Sequence, residues 1–306
     1  MARVLARSAA VVNLLATVLA LLSAMTFAVS TSVQHQAAEG APASAKGPLG
    51  LVRYLLGRPT WLVGQVMAVV GFAMHAAALH NGPIALVQPI VISGIVFAVP
   101  LRAAISRRLP SRHEVQAVTL TAVGLAVFLV ASDPTAGTHA GLGGAPITLT
   151  LLGVAVAAGA AMSARLSGEP RHTAFFFGVS SGVLFGLVAG LLKLTLQELA
   201  DGGVVRMLTV WPSWALVVVG AAGVLGNQMA YRAARLSASM PVLNIVDCMV
   251  ALGFGYIVFG EVPRHSPPFL AVEAVALVCV GTGLWLLARV EDEEQVSEPL
   301  RLRVRD

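Results

Sequence analysis

Stretches of about 20 apolar residues recur along this chain, and a run of that length spans the hydrocarbon core of a bilayer as a helix. Nine such spans are read, at 11–31, 59–80, 83–103, 114–132, 146–164, 173–197, 211–231, 240–260 and 267–288. Gly57-Arg58-Pro59, Asn81-Gly82-Pro83, Gly168-Glu169-Pro170 and Pro267-Pro268 punctuate them. The expected class is therefore an all-α integral membrane protein. Composition agrees: 57% of the 306 residues are hydrophobic and 11% charged, with a mean hydropathy of +0.82. A soluble domain runs near 45–50% apolar and about 25% charged, so a water-soluble enzyme is excluded, and so is a disordered chain. Two cysteines make neither a disulfide framework nor, alone, a zinc site.

The first span resembles a signal peptide in having Arg3 and Arg7 before an apolar run. Its apolar stretch, Ala9 to Val29, exceeds the ~7–15 residues of a cleaved signal core, so a retained helix is expected. Basic loops set the orientation. With the N-terminus outside and the C-terminus inside, 15 of the 20 Lys and Arg residues fall on the cytoplasmic side. Arg3 and Arg7 alone argue the other way. The net charge of +5 is thus read as the signature of a plasma-membrane, multi-pass protein, with the bilayer as partner and no nucleic acid. Residues 39–46 read as a flexible linker, Gly50 to Gly57 as an amphipathic lead-in on the membrane surface, and 290–306 as a solvated cytoplasmic charged tail.

An internal repeat organises the spans. Trp61 and Trp214 each start a Gly/Ala-rich helix, and each is followed by a break and a Pro-containing segment. Gly82-Pro-Ile-Ala-Leu-Val-Gln-Pro89 matches Ala234-Arg-Leu-Ser-Ala-Ser-Met-Pro241, with Pro89 and Pro241 in register 152 residues apart. Glu114 precedes Val123-Gly-Leu-Ala-Val-Phe-Leu as Glu273 precedes Thr282-Gly-Leu-Trp-Leu-Leu, and Gln34 matches Lys193. Spans one to four (residues 1–132, with linker 32–58) thus pair with spans six to nine (172–289), leaving an unpaired fifth span and its loops at 133–171. Equivalent spans lie five apart, so the two copies cross the membrane in opposite directions. This 4+1+4 inverted-topology repeat is a common construction of secondary transporters.

The pattern resembles the drug/metabolite transporter superfamily and its EamA-type domains, from about residue 11 to 289. The residues that carry the resemblance are Gly82-Pro83 with Val87-Gln88-Pro89, Phe259-Gly260-Glu261, and Gly281-Thr-Gly283. Members usually have ten helices, and the one absent here corresponds to the first. Nine spans with an outer N-terminus look like the NIPA-type branch, often described as magnesium transporters. These motifs speak to fold and broad class more than to substrate.

Charged and polar groups at membrane depth cost free energy and usually face a cavity or a partner. Asp247, two turns into span eight, is the leading candidate to bind a proton or a cation; the bland alternative is a structural carboxylate capped by Asn244 or a neighbouring helix. Glu273 in span nine faces either the cavity or outer water. Glu261 reads as a helix-end residue. His75 lies near the outer end of span two and Gln88 near the start of span three, and the histidine serves as relay, as a substrate contact or as an interhelical hydrogen-bonding group. Asn227 and Gln228 suit a zwitterionic or hydroxylated substrate, or helix–helix hydrogen bonding. Lys193 either snorkels to the surface or points inward, where it argues for an anionic group or a carboxylate pair. Gly178, Gly182, Gly186 and Gly190 form a ladder for close helix approach, and a homodimer through it is compatible with the pattern.

No Walker motif, His-Glu-x-x-His or defensible Ser/His/Asp set occurs, so an enzyme is not expected. No cofactor is implied. The expected function is alternating-access transport of a small metabolite or lipid-like solute, with proton coupling through Asp247. The alternatives are a magnesium or other divalent-cation transporter, in which Asp247, Asn244 and Gln88 are the ligands, and a non-transporting scaffold or accessory subunit.

Overall fold

The computed structural model describes residues 2–42, 47–92, 94, 96–97, 111–131, 137–234, 236–261, 269–283, 285–286 and 289. Every described element is a helix: α1 (Ala2–Glu39), α2 (Gly47–Leu56), α3 (Pro59–Asn81), α4 (Ile84–Ile92), α5 (Arg112–Ala131), α6 (Ala145–Leu166), α7 (Pro170–Thr209), α8 (Trp211–Ala233), α9 (Leu236–Phe259) and α10 (Phe269–Gly283). Six stretches among them are long and apolar enough to cross a membrane: Leu14–Gln34, Pro59–Asn81, Ala145–Leu166, Pro170–Thr209, Trp211–Ala233 and Ser239–Phe259. They coincide with expected spans one, two, five, six, seven and eight. At the other three places the described residues are helical but shorter or more polar. α4 ends at Ile92, α10 covers 15 residues, and α5 opens on Arg112, His113 and Glu114. The capping box there is complete, because the Ser111 hydroxyl accepts from the Glu114 N–H and the Glu114 carboxylate accepts from the Ser111 N–H.

Span six departs from its expected limits. α7 runs 40 residues, well past 197, because Gln197, Glu198, Asp201 and Arg206 continue the helix with polar groups after the apolar run ends. Gly203 breaks its regularity at φ +69°, a left-handed conformation that glycine adopts without strain. Among the six spans, the apolar part of α7 is the most buried. The reason is the glycine ladder, which lies against α9. A Cβ at Gly178 would meet the Ser239 carbonyl at 2.8 Å, one at Gly182 the Leu243 carbonyl at 2.6 Å, and one at Gly186 Val250 at 2.6 Å. The face that could have served a homodimer is therefore covered within the chain.

The packing order repeats. α1 lies antiparallel to α3, with the Ser23 and Ser30 hydroxyls donating to the Gly71 and Gly64 carbonyls. It lies parallel to α4, where a Cβ at Gly82 would meet Ala16 at 2.7 Å and one at Gly94 the Ala24 carbonyl at 2.5 Å. Likewise α7 lies antiparallel to α8, through Ser181 at Gly226 and Phe185 at Gly223, and parallel to α9. α5 packs against α10 through Gly124 and Gly283. α6 covers α7, with the Ser180 hydroxyl donating to the Ala157 carbonyl. Lipid-sized apolar side chains such as Val63, Val66, Val69, Val217 and Val218 stay exposed on the outside, as a chain solvated by hydrocarbon requires.

Candidate functional site

Polar side chains meet where the first group of helices (α1, α3, α4) touches the second (α7, α8, α9). At the centre, the Gln88 Nε2 of α4 donates to the Asp247 Oδ1 of α9 at 2.6 Å. Both residues are buried, and the Gln88 Oε1 has no hydrogen-bond partner among the described residues. The two helices run antiparallel, since Ile84 meets Glu261 and Gly255 while Gln88 meets Asp247. Pro89 inside α4 removes a backbone donor one turn after Ala85, which loosens the helix at the residue next to Gln88. Asp247 thus takes its hydrogen bond from a neighbouring helix. Asn244, one turn earlier on α9, is buried but does not cap it.

Toward one end lies an amide cluster. The Gln228 Nε2 of α8 donates to the Gln34 Oε1 of α1 at 2.7 Å, and the Gln34 Nε2 donates to the Ser30 hydroxyl at 2.8 Å. The Trp61 indole N–H of α3 reaches the Gln228 Oε1 at 3.4 Å. Asn227 separates from Gln228: its Nδ2 donates to the Tyr231 hydroxyl, which in turn meets the Met240 sulfur at 3.6 Å. The expected pair is therefore two sites, because residues i and i+1 on a helix point about 100° apart. Replacing Gln228 by leucine is expected to cost about 0.6–1.7 kcal/mol, the range for interhelical hydrogen bonds in membranes. A double-mutant cycle with Gln34→Leu in thermal melts in detergent should show the two effects to be non-additive; full additivity would mean that the pair does not interact.

Toward the other end lies an ion pair. Lys193 does not snorkel. Its side chain is 11% exposed, it pairs with the fully buried carboxylate of Glu261, and its Nζ lies 5.0 Å from the centre of the Phe259 ring. The reason is local: Lys193 continues the buried face of α7, where lipid is out of reach and a carboxylate is in reach. Glu261 also accepts from the backbone N–H groups of Ile84 and Ala85, both at 3.1 Å, so it caps the N-terminus of α4. Glu261 is held for this by Gly260 at φ +63° and by its own N–H, which donates to the Gly255 carbonyl.

The remaining candidates lie elsewhere. His75 is buried on α3, and its Nδ1 has no hydrogen-bond partner among the described residues. Glu273 is buried on α10, the helix that packs on α5. A set of possible metal donors that sequence reading did not single out, His139, Glu198 and Asp201, brings its donor atoms within 4.8 Å of one another. Its members are already engaged: the His139 Nε2 lies 2.9 Å from Asp201, and the Arg206 Nε donates to Glu198 at 2.6 Å. A fixed guanidinium on one donor opposes a bound cation.

Of the residues singled out in the sequence, Asp247, Gln88 and Gln228 are buried and Lys193 is half-buried. Gln34 and Trp61 stood out only as markers of the repeat, and their partners lie 194 and 167 residues away. For Glu261 the signals were a carboxylate directly after an apolar span and its place in Phe259-Gly260-Glu261.

Over 249 residues the chain is 29% identical to an uncharacterized protein of Corynebacterium glutamicum, covering 81% of this chain and 86% of that one. No family model matches the chain. No solved structure matches it.

Proposed function

We propose that this multi-pass membrane protein is a secondary transporter of the drug/metabolite type. In this reading it moves a small polar solute across the plasma membrane by alternating access, with Asp247 as the central carboxylate that couples movement to protons. One observation carries the reading: three polar contacts, Gln228–Gln34, Gln88–Asp247 and Glu261 with the Ile84 and Ala85 N–H groups, join the first helix group to the second, and Gln88–Asp247 lies between the other two. A scaffold has no need to place its buried polar groups at one seam between two helix groups. Such a seam can open by rocking, because interhelical hydrogen bonds in membranes are weak, averaging about 0.6 kcal/mol each. The recurrence of one packing order, antiparallel to the next helix and parallel to the one after, supports an inverted repeat. So does the antiparallel crossing of α4 and α9, the helices that carry Pro89 and Pro241. Nine spans with an outer N-terminus follow from that repeat and from the charge bias.

Gln88 suits a proton carrier. Its Nε2 donates to the charged form of Asp247, and its Oε1, free of other partners among the described residues, can accept from the protonated form after an amide flip. A divalent cation would instead need several oxygen ligands. Here one carboxylate faces an amide N–H, so the geometry favours a metabolite over magnesium.

The test is open-ended in solute. Proteoliposomes are loaded with a cellular small-metabolite extract and given an inward proton gradient. Mass spectrometry then follows what leaves. The expected result is selective loss of one or a few polar solutes relative to protein-free liposomes. Retention of every solute, in either direction of the gradient, would refute the reading.

A further inference from the structure

The seam has three layers, and α7 measures their spacing. Ser181 stands level with Gly226, beside the Gln228 amide cluster; Gly186 stands against Asp247; Lys193 holds Glu261. At 1.5 Å per residue the layers are about 7.5 and 10.5 Å apart. A central carboxylate is therefore closed off on one side by amides and on the other by an ion pair. The charge bias puts the ion pair on the outer side.

Resting on the transport reading above, we infer that Lys193 and Glu261, with Glu261 seated on the N–H groups of Ile84 and Ala85, form the outer gate of the solute path, and that α4 is its moving part. The Glu261 carboxylate faces Lys193 from α7 and two amide dipoles from α4, and the Lys193 ammonium also donates toward the Gly82 carbonyl at 3.4 Å. If α4 swings from α9, Glu261 loses both α4 N–H groups and Lys193 loses the Gly82 carbonyl, while the Lys193–Glu261 pair stays with α7 and α9 and is left open to water. α4 is gripped twice by the α9 segment, by Glu261 at its first residues and by Asp247 at Gln88, one helical turn on. Releasing the first grip frees the helix that carries the second, so opening the gate alters the partner of Asp247. The Thr138 N–H, donating to the Phe259 carbonyl at 2.8 Å, anchors the fixed side of the gate just before Glu261.

A native reporter exists. Cys248 is buried on α9, and Gly255, two turns further along the same stripe, touches Ile84 of α4. In a Cys279→Ser background, Cys248 is labelled with a membrane-impermeant methanethiosulfonate ammonium reagent, added to either side of sealed proteoliposomes. The outer side is defined as the one opposite the C-terminal tail. Lys193→Met is expected to raise the labelling rate from the outer side at least about tenfold, the population shift that corresponds to about 1.4 kcal/mol, with the inner side unchanged. Lys193→Arg should label at the parent rate. Should Lys193→Met not fold, Glu261→Gln makes the same test, since it removes the charge and keeps an acceptor for the α4 N–H groups. A folded variant whose outer labelling stays within about twofold of the parent, or rises equally from both sides, overturns the gate. The readout needs no solute, so solute flux with unchanged labelling refutes the gate alone. Side-specific labelling without any solute flux refutes the transport reading alone.

Discussion

Gly186→Leu is expected to leave no folded protein in detergent. A Cβ at this position would lie 2.6 Å from the Val250 Cβ and 2.7 Å from the Asp247 carbonyl, and neither neighbour is a flexible side-chain end. Two helix backbones meet there, so the only relief is to part α7 from α9 along the whole ladder. Even Gly186→Ala is expected to cost about 1–3 kcal/mol, the usual penalty for overpacking a close contact. Gly159→Ala is the control. It sits inside α6 with nothing within 4 Å of the added carbon, and should stabilise by about 0.5–1 kcal/mol through helix propensity. Fluorescence-detected size exclusion after heating orders the three variants. A monodisperse Gly186→Leu protein with the parent's melting temperature would show that α7 and α9 do not pack as described.

Glu261→Leu is the second large effect. It strips two backbone N–H groups of their acceptor and leaves the Lys193 ammonium without a counter-ion in a nearly buried place. Removing one partner of a buried pair costs about 3–5 kcal/mol, whereas removing both is far milder. The double variant Lys193→Leu/Glu261→Leu should therefore melt above Glu261→Leu and below the parent, the remaining deficit being the uncapped end of α4. Tryptophan-fluorescence melts in detergent read this order. A double variant no more stable than Glu261→Leu would mean that the two charges do not compensate each other.

The difference between these two predictions shows what a single sequence discloses. The ladder of Gly178, Gly182, Gly186 and Gly190 was legible because helical period and residue size are local properties. That the face is buried in the chain, and by α9 in particular, needed the fold. Asp247 and Lys193 were legible as charges inside apolar runs, a cost that demands an explanation. Gln88 was grouped with Asp247 only as a co-ligand of a cation, not as the donor of its hydrogen bond, and the partner of Lys193 was not legible, because Glu261 lies 68 residues away and no periodicity encodes which helix ends meet. Glu261 was legible as a helix-end residue, but the helix it caps was not, because the turn at Gly260 folds it back on α4. Asn227 and Gln228 were joined by adjacency in sequence and separated by the helix they share. Span limits failed mainly in α7, where the helix outlasts its own apolar stretch.

The central claim is that Asp247 couples a solute to protons at the seam between two helix groups. Proteoliposomes carrying both a pH-sensitive and a Mg²⁺-sensitive dye test it most directly, with the parent compared with Asp247→Asn. No Mg²⁺ signal is expected, and proton movement should appear only when a metabolite pool is added and disappear in Asp247→Asn. A Mg²⁺ flux that the substitution abolishes would make Asp247 a cation ligand instead. Silence of the parent in both channels would contradict a coupled transporter outright.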